Sequence, residues 1–310
     1  MSPAGLTGAG ATGRPRTTQS PRALRLGQHA FEPHQLLVMA MVNGMPESGC
    51  RPGGAWDQEA ALERVHAAVA EGTDIVDIGG GPARPDGDMD AREEIRRTVP
   101  VIAAARGAYP DLVISVDTRR PVVGREACAA GADLLADGGG SRDTGLIEVA
   151  AESGAGVVCS YAGPRPPRTR PWRTQPWRVA QEDDVLDGTL ALAAHAVDVG
   201  VDPARILVDP ARDLGQDTGR SPEIVRRLAK LVATGWPVLV SLSNQDLAGG
   251  TPDAAVSERA AGILAATAVC AWLGARVFRT RHVRQTRRVL SMVATIRGDI
   301  PPARAGRGLA

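Results

Sequence analysis

The sequence predicts a (β/α)8 TIM barrel, in which eight parallel strands form a closed ring inside a layer of helices. Eight short apolar runs alternate with segments of helical periodicity along the 310 residues, a length typical of one-domain α/β barrels. Carboxylates also lie in, or directly after, several of these runs, namely Asp77, Asp117, Asp137 and Asp209. A doubly wound open sheet is the alternative architecture. No GxGxxG motif follows the first strand, which weakens the case for a dinucleotide-binding fold.

The predicted strands are short and rich in Val, Ile and Leu, as is typical of strands that are buried on both faces. Turn-forming residues or helical patterns bound each of them. Their predicted bounds are 36–42, 75–79, 112–116, 134–137, 156–161, 206–209, 238–242 and 276–280.

The first predicted helix follows Asp57, a favourable N-cap residue, and has Leu62, Val65 and Val69 at helical spacing. Gly72 follows where a glycine commonly ends a helix. The other predicted helices cover about 91–106, 119–130, 143–153, 181–199, 222–234, 253–273 and a last segment from 283.

The composition excludes several classes of protein. The formal net charge is +1, so the charge balance predicts neither a nucleic-acid partner nor a membrane-surface protein. No run of eighteen apolar residues occurs, and no membrane span is predicted. The four cysteines are widely separated and the histidines lack metal-ligand spacing, which favours free thiols in a reducing cytoplasm over disulfides or a zinc site.

The predicted domain organisation is a single barrel with two extensions. Residues 1–30 are predicted to form a disordered N-terminal extension, residues 31–297 the barrel, and residues 298–310 a disordered tail.

The segment 163–181 is dense in Pro and Arg and contains Trp172 and Trp177. It could stack on bases, but without a wider basic surface we favour packing of these side chains on the barrel rim.

The strand-end carboxylates predict a ligand site at one mouth of the barrel. The carboxyl ends of parallel strands meet at one end of a barrel, so Asp117 and Asp209 should face each other. Two such carboxylates repel each other unless hydrogen-bond donors lie between them. We interpret this pair as ligand-binding, and Asp77 as a structural partner for backbone donors.

Seven motifs resemble those of dihydropteroate synthase and occur in the same order. They are VMAMVNGMPES, VDIGGGPARP, ISVDT, LLAD, ILVDP, PVLVSLS and FRTRHV. The resemblance covers about residues 36–297. The segments PRTRPW, GWPVLVSLSN and VATIRG further resemble a divergent second paralogue of actinobacteria that is regarded as lacking synthase activity.

The resemblance implies a pterin site with Mg²⁺. The family enzyme joins 4-aminobenzoate to a pterin that carries a pyrophosphate leaving group. Asp117 and Asp209 match the two aspartates that contact the pterin. Asn43 matches the first-strand asparagine that contacts the metal and the pyrophosphate.

Four further positions complete the site that the resemblance implies. Ser243 matches the serine beside the aminobenzoate, Arg84 the arginine of the second-strand loop, and Arg279 the pyrophosphate-binding arginine of the last strand. Arg281 replaces the family's histidine. If Arg279 and Arg281 alternate along one strand, they form a cationic fork suited to phosphate or pyrophosphate. Alternatively, Arg281 pairs with a carboxylate such as Asp209 and fills the place of the substrate.

Other positions depart from the family pattern, and the departures predict that synthase activity is impaired or lost. Ala136 stands in place of an asparagine that contacts the pterin, and Gln245 in place of a lysine. The segment 211–216 lacks a second lysine, 45–49 lacks the aromatic lid residue, and 81–83 replaces a Glu-Ser-Thr sequence.

Three functions therefore remain open at the level of sequence. The chain could be an active synthase of folate biosynthesis, a non-catalytic protein that binds a pterin or a phosphorylated ligand, or an enzyme of pterin-dependent methyl transfer.

Residues 260–273 are apolar nearly all round a predicted helix, so a homodimer formed through the last helices is also expected.

Overall fold

The computed structural model describes residues 21–43, 56–80, 89–137, 144–161, 182–210, 228–242 and 256–301. A two-stranded antiparallel hairpin precedes eight parallel strands. The hairpin strands are β1 (Leu24–Leu26) and β2 (His29–Phe31). The parallel strands are β3 (Leu37–Asn43), β4 (Ile75–Gly79), β5 (Val113–Asp117), β6 (Leu134–Ala136), β7 (Gly156–Ser160), β8 (Ile206–Asp209), β9 (Leu239–Ser241) and β10 (Val277–Thr280).

The strand order closes the sheet into a barrel. Neighbouring strands follow the order β8-β7-β6-β5-β4-β3-β10-β9. A parallel bridge between Val208 and Val238, with a 3.0 Å hydrogen bond from Val208 N to Pro237 O, then joins β8 to β9. The predicted TIM barrel is confirmed, and the open-sheet alternative is wrong. Each observed strand matches its predicted bounds to within one residue at either end.

Helices follow the barrel strands and cover the outside of the ring. They are α1 (Gln58–Ala70), α2 (Ala91–Ala108), α3 (Pro121–Ala129), α4 (Gly145–Ser153), α5 (Glu182–Asp198), α6 (described over 228–232), α7 (Val256–Leu273) and α8 (Val283–Arg297). Asp57 caps α1 as predicted, since its side chain accepts hydrogen bonds from the backbone N–H groups of Glu59 and Ala60. Gly72 follows with φ 87°, a conformation that favours glycine.

Two apolar cores lie on the two sides of the strands. The outer core packs the strands against the helices and includes Val38, Val76 and Ile114. The inner core fills the barrel interior toward the amino-terminal ends of the strands, called the lower half, and includes Met39 and Ile75. Strand side chains alternate between these cores, which explains why the strands read as nearly continuous apolar runs. Within the described part of the chain, no helix is long and apolar enough to cross a membrane.

The hairpin closes the amino-terminal end of the barrel, so the prediction of disorder is wrong for residues 21–30. Leu24 and Leu26 are 0% exposed and belong to the inner core. Gly156 makes room for the hairpin, because a Cβ at this glycine would lie 2.9 Å from Leu26 Cδ2 and 2.8 Å from Arg205 O. Residues 1–20 lie outside the described part of the chain.

Arg276 joins the hairpin to the amino-terminal end of the barrel by hydrogen bonds. Arg276 donates hydrogen bonds to the carbonyl oxygens of Arg22 (2.9 Å), Phe31 (3.1 Å) and Glu32 (2.8 Å) and so holds the hairpin in place. Burial lowers the pKa of Arg276 to about 10, against a raising effect of the Glu32 charge. Arg276 therefore remains a cation at neutral pH.

The predicted disordered tail begins too early. Gly298 ends α8 with φ 78°, and its N–H donates to Thr295 O at 3.0 Å. Asp299 N donates to Ala294 O at 2.9 Å, and the Asp299 carboxylate pairs with Arg297 at 2.7 Å. These bonds make Gly298 and Asp299 part of the helix ending. Residues 302–310 lie outside the description.

Candidate functional site

Polar side chains replace apolar ones in the upper half of the barrel interior. Ile75 and Val277 belong to the inner core, and two residues further along each strand lie Asp77 and Arg279. Side chains two apart on a strand share a face, so these residues also point inward. By the same alternation, the inward-facing polar residues are Asn43, Asp77, Ser115, Asp117, Ser160, Asp209, Ser241 and Arg279.

Arg279 lies at the centre of this group. Its Nη2 atom donates a 2.6 Å hydrogen bond to Asp117 Oδ2 and forms a 2.6 Å ion pair with Asp77 Oδ2. Ser115 Oγ donates to Asp77 Oδ1 at 2.8 Å. These contacts bring three charges close together at the floor of the mouth. Two of them are buried, since Arg279 is 7% exposed and Asp77 is 1% exposed. Charged hydrogen bonds of this kind are among the stronger contacts in proteins.

The surrounding carboxylates keep Arg279 protonated. Burial alone would lower the pKa of Arg279, but the charges of Asp77, Asp117 and Asp209 outweigh burial and raise the pKa above its ordinary value. Three carboxylates therefore act on one guanidinium among the described residues. Arg279 Nε is buried and has no hydrogen-bond acceptor among the described residues.

The structure brings the two predicted aspartates to one mouth. Asp117 ends β5 level with Gly79 and Ala136 on the neighbouring strands. Asp209 ends β8, is buried, and lies level with Ser160. Asp117 accepts a hydrogen bond from Arg279, and the charge of Asp209 raises the pKa of Arg279. Arg279 of the last strand is therefore a hydrogen-bond donor to Asp117 and a nearby cation for Asp209.

Asn43 lies at the same end of the barrel, but Arg281 does not share a strand with Arg279. Asn43 ends β3, is half-buried and lies opposite Gly79. The expected alternation of Arg279 and Arg281 is wrong, because β10 ends at Thr280 and Arg281 is exposed beyond it. Thr280 Oγ1 accepts a 3.0 Å hydrogen bond from the backbone N–H of His282, which turns the chain into α8.

Arg84 and Ser243 lie outside the described residues, although both flanks of the segment that carries Arg84 are described. Arg97 Nη1 donates to Gly80 O at 3.1 Å. Arg120 Nη2 donates to Met89 O at 2.5 Å, while its Nη1 pairs with the buried Glu94. Gly80, on one flank of this segment, is thus held by α2. Met89, on the other flank, is held by the residue before α3.

Sequence reasoning missed the roles of Asp77 and Ser115. Asp77 was expected to accept from backbone donors, whereas the structure pairs it with Arg279 and Ser115. A signal was present, because each polar residue interrupts an apolar strand two positions before the strand ends. That spacing places Asp77 and Ser115 on the inward face, one layer below Gly79 and Asp117.

The described mouth of this barrel combines the strand-end aspartates Asp117 and Asp209 with Arg279 of the last strand. The sequence profile described as "Pterin binding enzyme" matches residues 39–281, and the chain therefore belongs to this family.

The similar proteins include both inactive and solved members of the family. The chain is 48% identical over 276 residues to "Inactive dihydropteroate synthase 2" of Mycobacterium tuberculosis, with 88% of this chain and 87% of the relative covered. It is 42% identical to the solved structure of Rv1207 from Mycobacterium tuberculosis (TM-score 0.68; 90% and 99% covered). It is 28% identical to Xanthomonas albilineans dihydropteroate synthase with 4-aminobenzoic acid (TM-score 0.74; 90% and 99% covered). This protein is thus similar to dihydropteroate synthase.

Proposed function

We propose that this protein binds a pterin at the barrel mouth and has weak or no dihydropteroate synthase activity. The observation that carries the proposal is the convergence of Asp117, Asp209 and Arg279 at one mouth of the barrel. The aminopyrimidine edge of a pterin presents neighbouring N–H donors, which carboxylates can accept. Carboxylates that face the mouth suit such a ligand, because hydrogen bonds from N–H donors to a charged acceptor are stronger than those between neutral groups.

Loss of synthase activity is supported by the place of Ala136 in the site. Ala136 lies in the inner core, level with Asp117, at the end of β6. The methyl group of alanine can neither donate nor accept a hydrogen bond, so the amide contact of the active family members has no substitute at this position. Gln245, which replaces the family's lysine, lies outside the described residues. A developing charge on the pterin would therefore be less well stabilised at Ala136.

We propose that Mg²⁺ binding by this protein depends mainly on a phosphorylated ligand. No group of three or more His, Cys, Asp or Glu side chains that could hold a metal ion occurs among the described residues. The amide oxygen of Asn43 is an oxygen ligand of the kind Mg²⁺ prefers, and Mg²⁺ commonly takes its remaining ligands from phosphates and water. When bound to a diphosphate, the ion would neutralise charge on the leaving group.

A pterin is favoured over free phosphate or pyrophosphate as the first ligand. The guanidinium of Arg279 is shared between Asp77 and Asp117, so most of its charge is already compensated. The arginine fork that would suit a free phosphate is also missing, because Arg281 lies exposed beyond β10. We expect inorganic pyrophosphate to bind more weakly than 6-hydroxymethylpterin.

Asp209→Asn is expected to weaken binding of 6-hydroxymethylpterin by about thirtyfold, or about 2 kcal/mol, because one charged acceptor becomes partly a donor. Calorimetric titration of the wild type and the variant measures this change. Asp198→Asn makes the same charge change at an exposed position of α5 and serves as the control. Equal affinities in all three proteins would remove Asp209 from the site.

The ends of the last two helices form an exposed apolar patch that suits a second copy of the chain. Arg297 Nη1 donates to Ala271 O at 3.2 Å and joins the end of α8 to the end of α7. The exposed apolar residues there, called the α7/α8 patch, are Val269, Trp272, Met292, Ile296 and Ile300. Exposed apolar patches mark interaction sites, and a two-fold dimer would bring the same patch of both copies together. We therefore propose a homodimer through the α7/α8 patch.

Ile296→Asp is expected to shift the protein from dimer to monomer at micromolar concentration, because a charge would be buried at the centre of the α7/α8 patch. Ile296 is 65% exposed in the single chain. Light scattering measures the mass. Val122→Asp on α3, where the valine is 47% exposed, is the matched control and should remain dimeric. A monomeric wild type would contradict the proposal.

We propose the cytoplasm as the location of this protein. Cys128, Cys159 and Cys270 are free thiols, as is usual in a reducing compartment. Burial raises the pKa of Cys159 and of Cys270 to about 12, so both stay protonated at neutral pH.

A further inference from the structure

Asp77 lies too deep to touch a ligand at the mouth. Its register partner on β5 is Ser115, whereas Asp117, two residues further along that strand, lies level with Gly79. Asp77 therefore occupies the layer below the strand-end carboxylates. With 1% of its surface exposed, Asp77 is accessible only to the protein groups around it.

A chain of polar contacts nevertheless links Asp77 to the ligand-facing layer. Ser115 Oγ donates to Asp77 Oδ1 at 2.8 Å, and Asp77 Oδ2 lies 2.6 Å from Arg279 Nη2. The same nitrogen donates to Asp117 Oδ2 at 2.6 Å. One nitrogen of the arginine is thus shared between a buried carboxylate and a carboxylate of the mouth.

We propose that Asp77, oriented by Ser115, is a positioning residue that sets how Arg279 engages Asp117. Arginine and carboxylate side chains tend to pair through two parallel hydrogen bonds. The ion pair with Asp77 holds the guanidinium down in the barrel and opposes that two-bond arrangement on Asp117. The position of Arg279 in turn fixes the orientation of the Asp117 carboxylate with respect to a ligand at the mouth. This inference rests on the proposed function, because it concerns the same pterin site.

A positioning role and a purely structural role of Asp77 predict different affinities for 6-hydroxymethylpterin. Asp77→Asn keeps the shape of the side chain and a hydrogen-bond partner for Ser115 but removes the charge that holds Arg279. We expect the melting temperature to fall and the Kd for 6-hydroxymethylpterin to rise about tenfold. A residue that only stabilises the fold would lower the melting temperature without changing the Kd of the folded protein.

Asp133→Asn is the matched control at the opposite end of the barrel. Asp133 also pairs with an arginine, Arg106, at 2.5 Å, and accepts a 2.9 Å hydrogen bond from Ile114 N. This variant should lose stability as Asp77→Asn does, while its Kd stays within about twofold of the wild type. Ser115→Ala, which leaves all charges in place, should raise the Kd about threefold and gives a second reading if Asp77→Asn does not fold.

The deciding experiment is a calorimetric titration of the full-length wild type and these variants with 6-hydroxymethylpterin. It includes the double variant Asp77→Asn/Asp117→Asn, in which the Asp77 substitution should add nothing to the Kd of Asp117→Asn. Weaker binding in the Asp77 and Ser115 variants with an unchanged Asp133 variant supports the proposal. A wild type that binds while neither variant changes the Kd overturns the positioning role and leaves the proposed function standing. A wild type that fails to bind overturns both.

Discussion

Arg279→Ala is expected to lower the free energy of unfolding by about 3–5 kcal/mol, because it leaves buried carboxylates without their shared cation. Asp77 is 1% exposed, and Asp117 and Asp209 also act on the same guanidinium. Urea unfolding at neutral pH, followed by circular dichroism, measures the change. The loss is a large part of the stability of an ordinary domain.

Arg281→Ala is the control for this prediction, because it removes the same side chain two residues away. Arg281 is exposed beyond the end of β10, so the expected change is within about 0.5 kcal/mol. Equal losses in the two variants would contradict the buried charge cluster around Arg279. The contrast tests the geometry of the site without requiring any ligand.

Leu26→Ala is expected to lower the free energy of unfolding by about 2–5 kcal/mol, because it empties the plug at the amino-terminal end of the barrel. Leu26 is fully buried in the inner core, and Gly156 offers no side chain to refill the space. Thermal and urea unfolding of the variant measure the change.

Arg25→Ala is the matched control in the same hairpin strand, where Arg25 is exposed between two buried leucines. We expect a change of no more than about 0.5 kcal/mol. If Leu26→Ala were as stable as Arg25→Ala, the hairpin would not contribute to the folded core. Pterin affinity should be similar in both variants, since the hairpin and the mouth lie at opposite ends of the barrel.

The sequence was sufficient to predict the barrel strands because two independent patterns coincide in them. Runs such as Ile206–Asp209 combine buried aliphatic residues with a terminal carboxylate, and the parallel arrangement then places Asp117 and Asp209 at one mouth. The resemblance of the last strand to the family motif also predicted Arg279 at this mouth, as a pyrophosphate-binding residue. Its pairing with Asp77 and Asp117 was not predicted.

Other features depend on tertiary contacts that leave little trace in the sequence. The hairpin strands Leu24–Leu26 and His29–Phe31 are three residues each, too short for a periodic signal beside a stretch rich in Gly and Pro. The side-chain pattern suggested that Arg281 continues the last strand, but the strand ends at Thr280. Local hydrogen bonds set such an end, here the bond from His282 N to Thr280 Oγ1, and they are not visible in the pattern. The pairing of Asp77 with Arg279 joins positions far apart in the chain.

We propose that this barrel keeps a pterin site without synthase turnover. The most direct measurement adds 6-hydroxymethyl-dihydropterin diphosphate, 4-aminobenzoate and Mg²⁺ to this protein and follows dihydropteroate formation. Xanthomonas albilineans dihydropteroate synthase, assayed in parallel, is the active comparator, and a titration of the same sample with 6-hydroxymethylpterin measures binding. We predict saturable pterin binding with product formation at least about a thousandfold below the comparator, since one missing contact to developing charge alone costs about 10²–10³. Product formation within tenfold of the comparator, or no pterin binding, would contradict the claim.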